Sequence, residues 1–204
     1  MSEYLTSAIL KRNSNKSVNY LLNLHDFICQ CYTNLNPNSY GTHIQEYIRI
    51  SLNAWDVSAS EERGDFKVGD KYFEVKASYL SQKNESYNMT HMRTWQRFNY
   101  YLCCFIDCDN NFQPHLYLID KNITAKMKLS FMNGTPNSNV NNTNVEMRAT
   151  VKVNSDNHKV LLKHNLLKDD TFESLREFVT DLRNSYNDEN RKSMDPHSKS
   201  GGSL

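Results

Sequence analysis

Asp65, Glu74 and Lys76 lie in the stretch GDFKVGDKYFEVK at a spacing that can do chemistry. Gly69-Asp70 suits the two-residue loop of a type II′ β-hairpin. Pairing outward from it sets Val68 across from Lys71, Lys67 across from Tyr72, Phe66 across from Phe73 and Asp65 across from Glu74. Residues opposed in this way have Cβ atoms about 4.5–5.5 Å apart, so the two carboxylates repel unless a cation intervenes. A shared divalent ion with oxygen ligands relieves that repulsion. Lys76 is two residues beyond Glu74 and projects from the same face, while Phe66, Phe73 and Val75 project from the other into the core. Carboxylate oxygens that hold Mg²⁺, or Mn²⁺ in its place, beside a lysine that orients or deprotonates water, suit hydrolysis of a phosphodiester. The plain alternative is a solvated strand face with an ordinary ion pair.

The elements that must position this hairpin follow from periodicity. Apolar residues at three- and four-residue steps from Ser17 to Leu35 predict an amphipathic helix stopped near Pro37, with a loop to Gly41. Thr42 is placed to cap a second helix through about Asn53, with Ile44, Ile48 and Leu52 on one stripe. After the hairpin, Thr90 to Phe98 reads as helical, and the runs Tyr100 to Asp107 and HLYLID, ending at Asp120, read as central strands of a mixed sheet. A short amphipathic piece follows Lys121. VEMRATVKV and HKVLL have strand character, and Thr171 to Tyr186 reads as a final helix. This order is α/β. It fits one domain over 1–187, divided into a helical part at 1–40, a core at 41–120 and a further half at 121–187, with a polar tail at 188–204 expected to be disordered.

In the pattern Asp65-x8-Glu74-x-Lys76 the chain resembles the PD-(D/E)xK nuclease superfamily, and within it a type II restriction endonuclease. The resemblance spans roughly 41–120 in element order and departs from the family at Gly64, where a proline often precedes the first acid. It implies a restriction-endonuclease-like fold, a mixed central sheet flanked by helices. It also implies Mg²⁺-dependent cleavage of double-stranded DNA at a specific sequence, to 5′-phosphate and 3′-hydroxyl ends. Asp65, Glu74 and Lys76 would be catalytic. Asp65 and Glu74 would hold the metal, and Glu46, on the helix before the hairpin, stands where a family glutamate often completes the metal site. One such site cuts one strand, so cutting both strands of a symmetric sequence calls for a homodimer. A structure-specific repair or recombination nuclease on the same fold is the runner-up, and a non-catalytic DNA-binding module is the rival from another class.

Arg93, Gln96 and Arg97 would share one face of a helix at Thr90 to Phe98 and supply phosphate and base-edge hydrogen bonds. Between Lys121 and Lys168 eight basic residues, among them Lys126, Lys128 and Lys152, meet only two acids, Glu146 and Asp156. This half is therefore the expected DNA-facing side. Within it, residues 133–144 form an amide-rich loop whose Asn137, Asn139, Asn141 and Asn142 can both donate and accept, as base reading requires.

Composition bounds the rest. The 204 residues are 38% hydrophobic and 23% charged, enough apolar material for one core and too much for wholesale disorder. Lys and Arg number 24 against 23 Asp and Glu, so a polyanion must be held by a local patch rather than by the field of the whole molecule. No apolar run approaches the roughly 20 residues that span a bilayer, and the first residues lack a signal-peptide pattern, which points to a cytoplasmic protein. Five cysteines without paired CxxC knuckles are expected to be reduced and mostly buried.

Overall fold

Local capping and long-range strand pairing together fix the architecture, and the two do not always agree with periodicity. The computed structural model describes residues 18–58, 61–81, 83–132 and 145–194. Helix α1 (Leu24–Asn34) begins later than the apolar pattern suggests, because the Asn23 side chain accepts the Asp26 N–H and starts the helix there. It buries Leu24, Phe27, Ile28 and Cys31. A short 3₁₀ turn (Pro37–Ser39) leads into α2 (Tyr40–Ser51), two residues ahead of the expected Thr42 cap, with Ile44, Tyr47 and Ile48 inward.

The central sheet holds β1 (Trp55–Asp56), β2 (Phe66–Val68), β3 (Lys71–Tyr79), β5 (Tyr100–Asp107) and β6 (Gln113–Asp120) in the order β1-β2-β3-β5-β6. It is mixed, since β3 and β5 run parallel and the other pairs antiparallel. The hairpin register is the expected one, with Phe66 across from Phe73, Lys67 from Tyr72 and Val68 from Lys71. A second sheet of β4 (Ser86–Met92), β8 (Met147–Lys152) and β7 (Leu129–Phe131) pairs in the order β4-β8-β7.

Two apolar clusters lie on opposite faces of the central sheet. On one face, Phe66, Phe73, Leu102, Leu116 and Leu118 pack against α1, α2 and the last helix, α4 (Phe172–Met194). On the other, Tyr101, Cys103, Phe105, Tyr117 and Ile119 pack against Met89 and Met92 of β4, Ala149 and Val151 of β8, and Leu161 of α3 (Asp156–His164). The protein is thus α/β, with helices on one face of a mixed sheet and a small sheet and one helix on the other.

Three sequence expectations are corrected. Residues 90–98 are not helical: β4 ends at Met92 and a turn follows, because Ser86 to Met89 pair with Lys152 to Ala149 and that ladder outweighs local helical periodicity. HKVLL is helical rather than extended, since Ser155 accepts the His158 N–H and caps α3 just ahead of it. Finally, β6 is an edge strand rather than a central one. Residues 165–170 cover its edge: Leu116 N–H donates to the Asp170 carbonyl, Leu118 N–H to the Asn165 side chain, and Leu166 N–H to the Leu118 carbonyl. Helix α4 continues to Met194, past Tyr186, and residues 195–204 of the expected tail lie outside the described residues. Cys31, Cys103 and Cys104 are buried, Cys29 and Cys108 half-buried, and none is in a disulfide. Among the described residues no helix is long and apolar enough to cross a membrane.

Candidate active site

β3 carries the centre of the candidate site. Its alternation sends Phe73 and Val75 into the helical side of the core and Glu74 and Lys76 to the opposite face. There Glu74 lies beside Tyr101 and Lys76 beside Cys103 of the parallel neighbour β5. Glu74 is only 7% exposed, and its Oε1 accepts from Lys76 Nζ at 2.6 Å.

Asp65 reaches the same place by a route that the simple ladder does not give. The regular pairing stops at Phe66 and Phe73. Asp65 N–H then donates to the Phe73 carbonyl at 2.7 Å, and Asp65 Oδ2 accepts the Val75 N–H at 2.7 Å. The carboxylate is therefore fastened to the backbone of β3 between Glu74 and Lys76. Gly64 makes this approach possible: its φ is +88°, and a Cβ there would lie 2.6 Å from the Phe73 carbonyl oxygen. Proline, with φ fixed near −65°, has no access to that conformation.

Burial and the Glu74 charge push the Asp65 carboxyl up to about 7, against the opposing pull of the Val75 N–H, Lys76 and Arg93. A second acid beside a buried one is the condition under which a bound cation is most favourable. Asp65 Oδ1 and Glu74 Oε2 accept no hydrogen bond from any described residue, so each acid keeps one oxygen for a further partner. These hard oxygens fit Mg²⁺ or Mn²⁺ better than a softer metal.

Glu46, the third expected ligand, is engaged by a neighbour on its own helix. It sits on α2 with both oxygens on Arg49, Oε1 to a terminal guanidinium nitrogen at 2.7 Å and Oε2 to Nε at 2.9 Å. Among the described residues no three His, Cys, Asp or Glu side chains converge in a way that could hold a metal.

Of the expected DNA-binding residues that the structure describes, Arg93 lies near the acids. It follows β4 in the turn, and its guanidinium feels the Glu74 and Asp65 charges while Nε donates to Glu146 at 2.7 Å. His91 Nδ1 lies 2.7 Å from the other oxygen of Glu146. Gln96 is buried, with Oε1 unpartnered, and its carbonyl accepts from Lys121 Nζ. Arg97 is exposed, and its N–H donates to the Glu62 carbonyl. Lys126 ends a 3₁₀ turn (Lys121–Lys126), Lys128 is ion-paired with Asp156 at 2.7 Å, and Lys152 is exposed at the end of β8. None of these three lysines forms an ion pair with Asp65 or Glu74. Asn137, Asn139, Asn141 and Asn142 lie outside the described residues.

Two features escaped sequence reasoning. The Tyr101 hydroxyl is buried without a hydrogen-bond partner, and burial together with the Glu74 charge raises its pKa far above the usual phenol value. Only the parallel pairing of β3 with β5 could have placed it there. The second is Glu146, which gathers His91 and Arg93 from residues more than fifty positions away. No protein-family model matches this chain, and no curated protein does so either.

Proposed function

We propose that the protein is a Mg²⁺-dependent DNA endonuclease on a restriction-endonuclease-like fold. In this reading it cuts double-stranded DNA at a specific sequence and leaves 5′-phosphate and 3′-hydroxyl ends. One observation carries the proposal. Asp65 is bonded to the backbone of the strand that presents Glu74 and Lys76, and each of the two acids keeps an oxygen that no described residue occupies.

Asp65 and Glu74 are the residues that would hold the metal, which when bound neutralises charge on the phosphate oxygens. The chain's own groups do the rest. Lys76 Nζ, set by Glu74 Oε1, orients the attacking water and stabilises charge that grows in the transition state. Arg93, whose guanidinium feels both acid charges, would add a second positive charge beside the phosphate. Tyr101 and Cys103 on β5 close the inner side and limit the access of bulk water. Each chain supplies one such site, so breaking both strands calls for two copies.

A structure-specific repair or recombination nuclease on this fold is the second reading, favoured by Lys67 Nζ, which lies between the Trp55 and Tyr72 rings on the strands next to the acids. Incubation in Mg²⁺ with a long unmethylated duplex and, separately, with DNA that carries nicks, gaps or junctions, followed by sequencing of fragment ends, distinguishes them. Ends that recur at one sequence support the first reading, and ends at nicks, gaps or junctions support the second. Intact DNA under all conditions contradicts both.

A further inference from the structure

The face of the central sheet that carries Glu74 also carries, toward its β1 edge, a row of rings and cations. Trp55 pairs with Lys67, and Lys67 with Tyr72, across β1, β2 and β3. Directly opposed residues share a face, so these three side chains stand side by side. Glu74 is the next residue of β3 on that face, about 7 Å along the strand from Tyr72.

The row is built as alternating cations and rings. Lys67 Nζ lies 5.7 Å from the Trp55 ring centre and 5.3 Å from that of Tyr72. Arg63 lies 5.5 Å from the Tyr72 ring, and its guanidinium donates to the Tyr72 hydroxyl at 3.1 Å. Among the described residues neither Arg63 nor Lys67 is ion-paired with a carboxylate. Trp55 is 70% exposed, the most exposed large hydrophobic side chain among the described residues.

At the edge of the sheet, on the side toward α4, Trp55 and Lys67 also border a cavity of about 140 Å³ together with Asn53, Val68, Gly69, Arg183, Tyr186 and Asn187. A cavity of roughly 150 Å³ accepts one benzene ring, so this space has the scale of a single base ring. Two asparagine amides at its rim can meet the polar edge of such a ring.

We infer that the row Trp55–Lys67–Tyr72–Arg63 binds an unpaired DNA strand running away from the acid pair. In this arrangement Arg63 and Lys67 take its phosphates, Trp55 stacks a base, and the cavity beside Trp55 receives that base or the next. Unpaired cations answer the charge of the phosphates, and exposed rings answer the faces of unstacked bases. Paired duplex keeps its base faces covered and leaves Trp55 without a partner. The inference rests on the second of the two nuclease readings, the structure-specific one, and specifies its substrate as DNA that is single-stranded next to the scissile phosphate.

Binding tests it separately from cutting. The full chain in Ca²⁺ is titrated with a short fluorescent oligothymidine, an oligouridine of the same length and a blunt DNA duplex. Trp55→Ala and Trp55→Tyr are compared with the wild type, their folding verified by circular dichroism. The oligothymidine is expected to bind tightest. Trp55→Ala should weaken it roughly five- to hundred-fold, the effect of removing one base stack, with Trp55→Tyr recovering most of the loss. Duplex binding should change less than about two-fold. Tighter binding of the duplex or of the oligouridine, or oligothymidine binding unmoved by Trp55→Ala, overturns the inference. A protein that cuts duplex in Mg²⁺ yet fails this test loses the inference and keeps the nuclease reading. One that passes it and never cuts keeps the strand-binding row and loses the nuclease reading.

Discussion

Asp65 Oδ2 and the Val75 N–H are joined by a 2.7 Å hydrogen bond, so the first acid of the site is held by the backbone of the strand that carries the second. The relationship ties the position of a side chain to the integrity of a ladder. It depends on Gly64, whose positive φ lets the chain pass close over the Phe73 carbonyl.

Gly64→Ala therefore strains the backbone and drives a Cβ into that carbonyl. A loss of roughly 1–3 kcal/mol in stability is expected, read by urea denaturation, together with a drop in cleavage as Asp65 shifts. Unchanged stability and unchanged cutting would show that the loop does not depend on glycine here.

Asp65 also sets a pH dependence. Its carboxyl is raised to about 7 in the folded chain by burial and by Glu74, above the ordinary value of 3.8. A group raised on folding favours the folded state while it is protonated. Its contribution is complete below about pH 4 and is lost as pH rises toward 7, a difference of roughly 4 kcal/mol at most. In metal-free buffer, Asp65→Asn should then be more stable than the wild type at pH 8, with the gap closing near pH 4. Thermal melts across this range measure it, and parallel curves for the two proteins would remove the buried acid pair as the cause.

Metal dependence follows from the two open carboxylate oxygens. Chelator should stop cleavage, and Glu74→Ala should both abolish cutting and weaken Mg²⁺ binding by calorimetry, because the proposed site offers oxygen ligands and no thiolate or imidazole set. Cutting that persists in excess EDTA would exclude Asp65 and Glu74 as metal ligands for the reaction.

The basic half gives a salt-dependence test. Lys126→Ala and Lys152→Ala should weaken binding to all DNA sequences, and a lysine that truly neutralises a phosphate should, when replaced, reduce the slope of log affinity against log salt by roughly one unit. Lys128 already faces Asp156, so its replacement should have the smallest effect. An unmoved slope for all three would place the DNA path away from this half.

How far the sequence could be read depends on how local the determining interactions are. The hairpin register was legible because a two-residue turn and an alternating pattern decide it within a dozen residues. The face shared by Glu74 and Lys76 followed from the same alternation. The position of Asp65 did not, because the ladder ends one pair early and the carboxylate bonds to Val75 rather than simply facing Glu74. Residues 90–98 escaped because the partner of β4 lies some sixty positions downstream. The Glu46–Arg49 pair was legible, since Arg49 follows at the i,i+3 spacing that pairs charges on a helix. Lys67 facing Tyr72 was legible, whereas Trp55 joined them only through a two-residue strand too short for any pattern.

The most direct test of the central claim is the single-turnover cleavage rate of Lys76→Ala in Mg²⁺, with DNA affinity measured in Ca²⁺ on the same preparation. Lys76 is a donor beside Glu74 and not a metal ligand, so its replacement removes an interaction made mainly in the transition state. The rate should fall by about 10²–10⁴-fold while affinity stays within a few-fold of the wild type. A Lys76→Ala protein that folds, binds and cuts at the wild-type rate would contradict the site and the nuclease reading built on it.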